Sequence, residues 1–216
     1  MLNKFGITYY IICSCFGFHA QNKTVLQFSL DSILKLDQYA RNQIDHVIKD
    51  LEFQDSVLTS VGMSLPQFLQ QTMENQAIQD EQNLKWVTQF IEQNGYPGKT
   101  LVGEKYAEVA WSVLQHSDQN TLKKFLPLIK ETSLEGEIDP LCYAKSKDRV
   151  LIGDKRAQLY GTQLYFDPKN QIYGMYKIRF KKRVDKRRES IGLVGIESYL
   201  YFNFQLVYEQ LDVVKP

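Results

Sequence analysis

The sequence predicts a predominantly helical α+β domain with a small antiparallel β-sheet in its C-terminal third. Two patterns carry that prediction. Apolar residues from Ser29 to Lys147 mostly recur at spacings of three and four, the period of a helix with one buried face. From Val150 to Phe180 they alternate, the period of a strand. In addition, an aromatic content of 12% is too high for a disordered chain and supplies side chains for a core.

The N-terminus sets the expected compartment. Met1 to Lys4 give a weakly positive start and Phe5 to Phe18 an apolar run too short to span a bilayer, which is the pattern of a signal peptide over residues 1–20, cut after Ala20. A lipoprotein signal ending at Cys15 is the weaker reading, because it is unusually short, and a buried N-terminal helix is the plainest one. The first reading makes the protein extracytoplasmic, periplasmic or secreted, and leaves residues 21–216 as a single globular domain. Loss of Lys4 takes the formal charge from +1 to about zero. A neutral chain has no global field for nucleic acid, and no transmembrane span is expected. With Cys13 and Cys15 removed, Cys142 remains, which excludes an internal disulfide and any metal site built on several thiolates.

In chain order, Ser29 to Leu51 reads as a helix on Ile33, Leu34, Leu36, Ile44, Val47, Ile48 and Leu51, with Asp31 or Ser29 as its cap. Asp37 and Arg41 lie one turn apart on it and read as a solvated pair rather than part of a pocket. Ser64 and Pro66 start a second helix that runs to Gln93, whole or broken near Asn75 to Asp80. Asn94-Gly95-Tyr96-Pro97-Gly98 stops it. A helix from Glu104 to Ser117 follows, packed through Ala107, Ala110, Trp111 and Leu114. Asp118 caps the next, Asn120 to Thr132, which Pro127 should kink or break. A short helix from Asp139 or Pro140 to Lys147 completes the helical part.

The sheet is expected in three runs: Val150 to Ile152, Gln158 to Phe166 and Gln171 to Phe180, with turns at Gly153-Asp154 and Asp167 to Asn170. Gly161 and Gly174 each remove a side chain from a strand, which suits a bulge or the close approach of a ligand. Val184-Asp185 begins a helix to Ser190, and the aromatic tail from Gly195 to Leu211 reads as a final packing helix, with a strand over Tyr201 to Val207 as the rival.

His116, in the last turn of its helix, is the candidate acid or base, since imidazole titrates near neutrality and a helix C-terminus favours its charged form. Gln115 and Asp118 flank it, and Asp118 or Asp148 would orient the ring. The opposing reading is a histidine that caps its own helix. Along the strand, Gln158, Tyr160 and Thr162 share a face that forms either a hydrogen-bonding floor or an ordinary solvent face, with Gln163 on the other side. Arg187 and Arg188 could clamp a carboxylate or phosphate; the plainer reading is a solvated helix face with one buried arginine. No nucleophile elbow, zinc-binding histidine pair or phosphate loop is present, so neither metal nor cofactor is expected.

Several phrases together resemble a bacterial family of unknown function. They are Asp37-Gln38-x-x-Arg41, Gly95-Tyr96-Pro97, Val102-Gly103 and Ala110-Trp111, leading to Gln115-His116-Ser117-Asp118. Further on come Asp148-Arg149-Val150, Gln158-x-Tyr160-Gly161-Thr162-Gln163 and Asp185-x-Arg187-Arg188, running to Gly192-Leu193. Ser117 departs from an expected alanine. The resemblance implies a shared fold and a shared polar set, with His116 and Gln163 in one site, and no reaction. Two functions follow as expectations. The first is a hydrolase or transferase acting on a polar or anionic small molecule: His116, Asp118 and Asp148 carry the chemistry, and Gln115, Arg149, Tyr160, Thr162, Gln163, Arg187 and Arg188 bind the substrate. The second is a non-catalytic module, binding a small molecule or a protein, in which the same residues form a structural network.

Overall fold

The computed structural model describes residues 5–167, 172–208 and 211–214, and side-chain surroundings for 23–167, 172–208 and 211. The expected leader, its cut after Ala20 and the cysteines 13 and 15 lie outside the described side chains, and residues 168–170 of the expected turn lie outside the described residues. Predominantly helical architecture with a small antiparallel strand pair near the C-terminus is what forms. The chain makes two compact units, residues 1–113 and 114–216.

In the first unit, α1 (Phe5–Lys49) packs against α2 (Leu51–Val61) and α3 (Leu65–Asn94). Helix α1 buries Leu30, Ile33, Asp37, Ala40 and Val47, a run of threes, fours and their multiples that keeps one stripe inward. Helix α3 answers with Gln76, Asn83, Val87 and Ile91 and is unbroken from Leu65 to Asn94. Since α1 runs straight through Ser29 and Asp31, neither caps it; Asp31 instead pairs with Lys35 and Lys105. Asp37 and Arg41 do pair, at 3.5 Å, but not as a solvated pair. Asp37 is buried, Gln38 donates to it at 2.6 Å, and Arg41 reaches across to both oxygens of Asp80 at 2.9 Å. Helix α2 went unread in the sequence because none of its residues is buried, although Asp50 caps it by accepting the Phe53 N–H at 3.0 Å. The loop after α3 is closed by the Tyr96 hydroxyl, which donates to Ala107 O and accepts the Trp111 N–H. Helix α4 (Lys99–Val102) and a 3-10 turn at Glu104–Tyr106 come before α5 (Val109–Gln115), so the expected single helix from Glu104 is in two pieces.

In the second unit, α6 (Gln119–Leu134) packs along α7 (Pro140–Gly153). Asp118 caps α6 as expected, and Leu122, Phe125 and Ile129 form its buried stripe, each such side chain worth about 1.5–3 kcal/mol. Pro127 lies inside α6 without ending it. Helix α7 overrides the strand expected at Val150 to Ile152. Cys142, Ser146 and Val150 make one buried stripe, and Ala144, Asp148 and Leu151 make a second on the opposite face. A helix enclosed on both faces loses the single-face period that would have marked it, and β-branched residues at its end then read as a strand.

The sheet is shorter than expected. Strands β1 (Leu164–Asp167) and β2 (Ile172–Tyr176) pair antiparallel with Leu164 opposite Met175, and β3 (Asp212–Val214) adds parallel to β2. Residues 158–163, expected to open the first long strand, form a loop instead, bent at Leu159 and Tyr160 and left-handed at Gly161, and tied to Ile178 by one isolated bridge at Gln158. Helix α8 (Val184–Glu189) and helix α9 (Ile196–Phe204) follow where helices were expected. Met175, Ile178, Val184, Ile196, Tyr199, Leu200, Tyr208 and Leu211 form the core they share.

Candidate functional site

Asp148 stands at the centre of the polar residues that the second unit collects. Its place on a buried stripe of α7 aims the carboxylate at the bent loop after the helix. It accepts the N–H of Leu159 at 2.6 Å, of Tyr160 at 3.1 Å and of Thr162 at 3.0 Å, together with the Thr162 hydroxyl at 3.0 Å. Burial pushes the Asp148 carboxyl up from its ordinary value, and the donors from Thr162, Leu159 and Tyr160 pull it back. The arrangement is an anion held by a short loop of backbone amides, and it fixes the conformation of residues 159–162.

The same loop is held from its other side by α8. Arg188, fully buried, donates Nη1–H to Tyr160 O at 2.6 Å and Nε–H to Val194 O at 2.7 Å, and its guanidinium lies 4.6 Å from the centre of the Tyr199 ring. Arg187 donates to Leu159 O at 2.8 Å and Arg179 O at 2.7 Å. The guanidinium groups expected to clamp a substrate therefore engage backbone carbonyls. That one arginine of the pair is buried agrees with the plainer sequence reading.

Gln158 is fully buried, which sets aside the solvent-face alternative for this residue. Its amide donates to Gln163 O and Tyr176 O and accepts the Gln163 N–H at 2.9 Å, so it closes the loop on itself and onto β2. Gln163 in turn donates to Lys145 O at 3.3 Å. Tyr160 and Thr162 are buried as well, the Tyr160 ring meeting Tyr143 edge to face at 6.0 Å. Burial first, then Tyr143, pushes the Tyr160 phenol up to about 12. Gly161 holds φ at 72°, and a Cβ there would strike Ile196 and Ile178; one at Gly174 would strike Tyr165. Both glycines are approached closely by the protein's own side chains.

A second set of contacts gathers at the end of α5. His116 follows the last residue of α5 and is exposed. Arg149, on α7, donates to the Gln115 carbonyl, so a guanidinium sits at the C-terminal end of α5 beside the histidine. Burial lowers the Arg149 pKa. Asp118 accepts the N–H of Asn120 at 2.8 Å and of Thr121 at 3.2 Å, and the Thr121 hydroxyl at 2.5 Å. The Thr121 hydroxyl, followed by these two amides, holds the Asp118 carboxyl below its usual range. The structure thus brings Asp148, Tyr160, Thr162, Gln163, Arg187 and Arg188 together, and groups Gln115 with Arg149 next to His116. Asp148 meets the 159–162 stretch through α7, and every bond of Asp148 given above runs to that stretch.

Sequence reasoning missed a groove of about 580 Å³ lined by Lys147, Leu151, Arg156, Ala157, Leu159 and Arg179. Its basic residues are far apart in the chain and belong to none of the phrases singled out. Among the described residues no helix is long and apolar enough to cross a membrane, and no group of three or more His, Cys, Asp and Glu could hold a metal ion. No curated protein and no solved structure matches the chain. The model of a family of unknown function, DUF6624, matches residues 54–208, from α2 through α9, and the chain belongs to that family.

Proposed function

We propose that the C-terminal unit is a non-catalytic ligand-binding module, in which the polar residues singled out by the sequence form an internal scaffold rather than a set of reacting groups. One observation carries this reading. Asp148 and Arg188, expected to orient a base and to hold a substrate, are both fully buried: Asp148 accepts from the backbone of residues 159–162 and the Thr162 hydroxyl, and Arg188 donates to the carbonyls of Tyr160 and Val194. A catalytic carboxylate or substrate clamp has to present an atom to the ligand, whereas a scaffold has to present its atoms to the chain. The apolar N-terminus supports an extracytoplasmic place for the module, with the mature N-terminus at Gln21, which intact-mass measurement of the exported protein would check.

The test compares the wild-type protein with His116→Ala and Asp148→Asn, by thermal melting and by turnover of a panel of esters and phosphoesters. The scaffold reading expects no turnover dependent on His116, an unchanged midpoint in His116→Ala and a much lower one in Asp148→Asn. Turnover lost in a well-folded His116→Ala protein would overturn it in favour of a hydrolase or transferase with His116 as acid or base.

A further inference from the structure

We infer that the groove lined by Lys147, Arg156 and Arg179 binds a small molecule carrying a phosphoryl group and an apolar portion. The volume, about 580 Å³, is that of an ordinary small-molecule site. Its lining is asymmetric in a chemically informative way. Three cations line it and no carboxylate does, while Leu151, Ala157 and Leu159 supply an apolar part. Lys147, Arg156 and Arg179 are in no ion pair among the described residues. The nearest acid in sequence to Arg156, Asp154, pairs with Lys123 and accepts from Gln119, and feels Arg156 as a weaker, more distant attraction.

Three positive side chains around one cavity repel one another, so their charge is best balanced by a ligand anion of more than one unit. A phosphoryl dianion fits that requirement better than a single carboxylate, because guanidinium forks match its oxygens and a lysine adds a point charge. The walls are also built in advance. Arg187 donates to the carbonyls of both Leu159 and Arg179, tying together two lining residues from different segments, and Asp148 fixes Leu159 through its N–H. The buried scaffold thus has an outer face with a use: it holds the groove in shape before a ligand arrives, which lowers the entropic cost of binding. This gives a ligand class to the module proposed above and rests on that reading only for the absence of turnover.

The experiment is isothermal titration of the whole protein with phenyl phosphate, inorganic phosphate and benzoate, in the wild type, Lys147→Gln, Arg156→Gln, Arg179→Gln and the Arg156→Gln/Arg179→Gln double variant. Arg156 and Arg179 are exposed, and melting midpoints close to the wild type establish that the variants fold. Phenyl phosphate is expected to bind more tightly than either fragment. Each single variant should weaken it about tenfold and the double variant should abolish it, with affinity falling as salt rises. Absence of binding by phenyl phosphate, equal binding in the double variant, or benzoate binding as tightly would overturn the site. Hydrolysis of phenyl phosphate would overturn the non-catalytic reading while leaving the groove in place, so the two failures are separable.

Discussion

Thr162 offers both its N–H and its hydroxyl to one oxygen of Asp148, each at 3.0 Å, Leu159 donates to the other at 2.6 Å, and the Tyr160 N–H is shared between the two at 3.1 Å. Every partner in this set is a donor. Asp148→Ala would leave those buried donors without an acceptor, and a loss of about 3–5 kcal/mol is expected in urea unfolding followed by circular dichroism. Asp148→Asn should cost nearly as much, because the amide NH₂ would face donors. An asparagine variant as stable as the wild type would show that the oxygens are not held in this way. Hydrogen exchange should locate the damage at residues 159–162.

Arg188→Lys is expected to behave as a severe substitution. A lysine has one terminal nitrogen to set against two carbonyls, Tyr160 O and Val194 O, that the guanidinium reaches with separate N–H groups, and it loses the planar contact with Tyr199. The expected cost is about 2 kcal/mol or more, read from the urea midpoint. A loss within a few tenths of a kcal/mol would mean that charge alone, and not the fork, matters there.

Gly161 and Gly136 permit a controlled comparison. Both hold positive φ, 72° and 76°, but a Cβ at Gly136 meets open space, while one at Gly161 runs into Ile196 and Ile178. Gly136→Ala should cost about 1 kcal/mol from backbone strain alone, and Gly161→Ala roughly 3 kcal/mol from strain plus overpacking. Equal melting midpoints for the two variants would exclude the packing contribution.

Acid should loosen α6 through Asp118. Its folded-state pKa lies below the ordinary 3.8, so its contribution to stability is fully present above that value and is lost as pH falls through the lowered one. Melting midpoints of wild type and Asp118→Ala should therefore differ at neutral pH and converge below the ordinary carboxylate range. A constant difference across that window would assign the cap's effect to something other than the charge.

Much of the scaffold was legible as a set of residues before its geometry was known. Asp148, Gln158, Tyr160, Thr162, Gln163, Arg187 and Arg188 were all singled out, and one buried arginine was expected of the last pair. Their direction was not legible. Alternation from Gln158 to Thr162 assigns these side chains to one face of a strand, whereas the stretch is a bent loop whose backbone amides turn to Asp148, a carboxylate from a helix whose own period was hidden by burial on both sides. Asp118 was read correctly as a cap because capping is local, acting over three residues. Lys147, Arg156 and Arg179 escaped notice for the opposite reason: the fold brings them to one cavity with no spacing rule linking them.

Tyr160 is gripped at both ends of a single residue, its N–H by Asp148 and its carbonyl by Arg188. The two grips differ in when they can form. Asp148 lies 12 residues before Tyr160, a span whose ends meet within about 10–100 ns, whereas Arg188 lies 28 residues after it and is made later in synthesis. The Asp148 hook is thus the more local of the two contacts, and the Arg188 latch closes the longer loop at the larger cost in chain entropy.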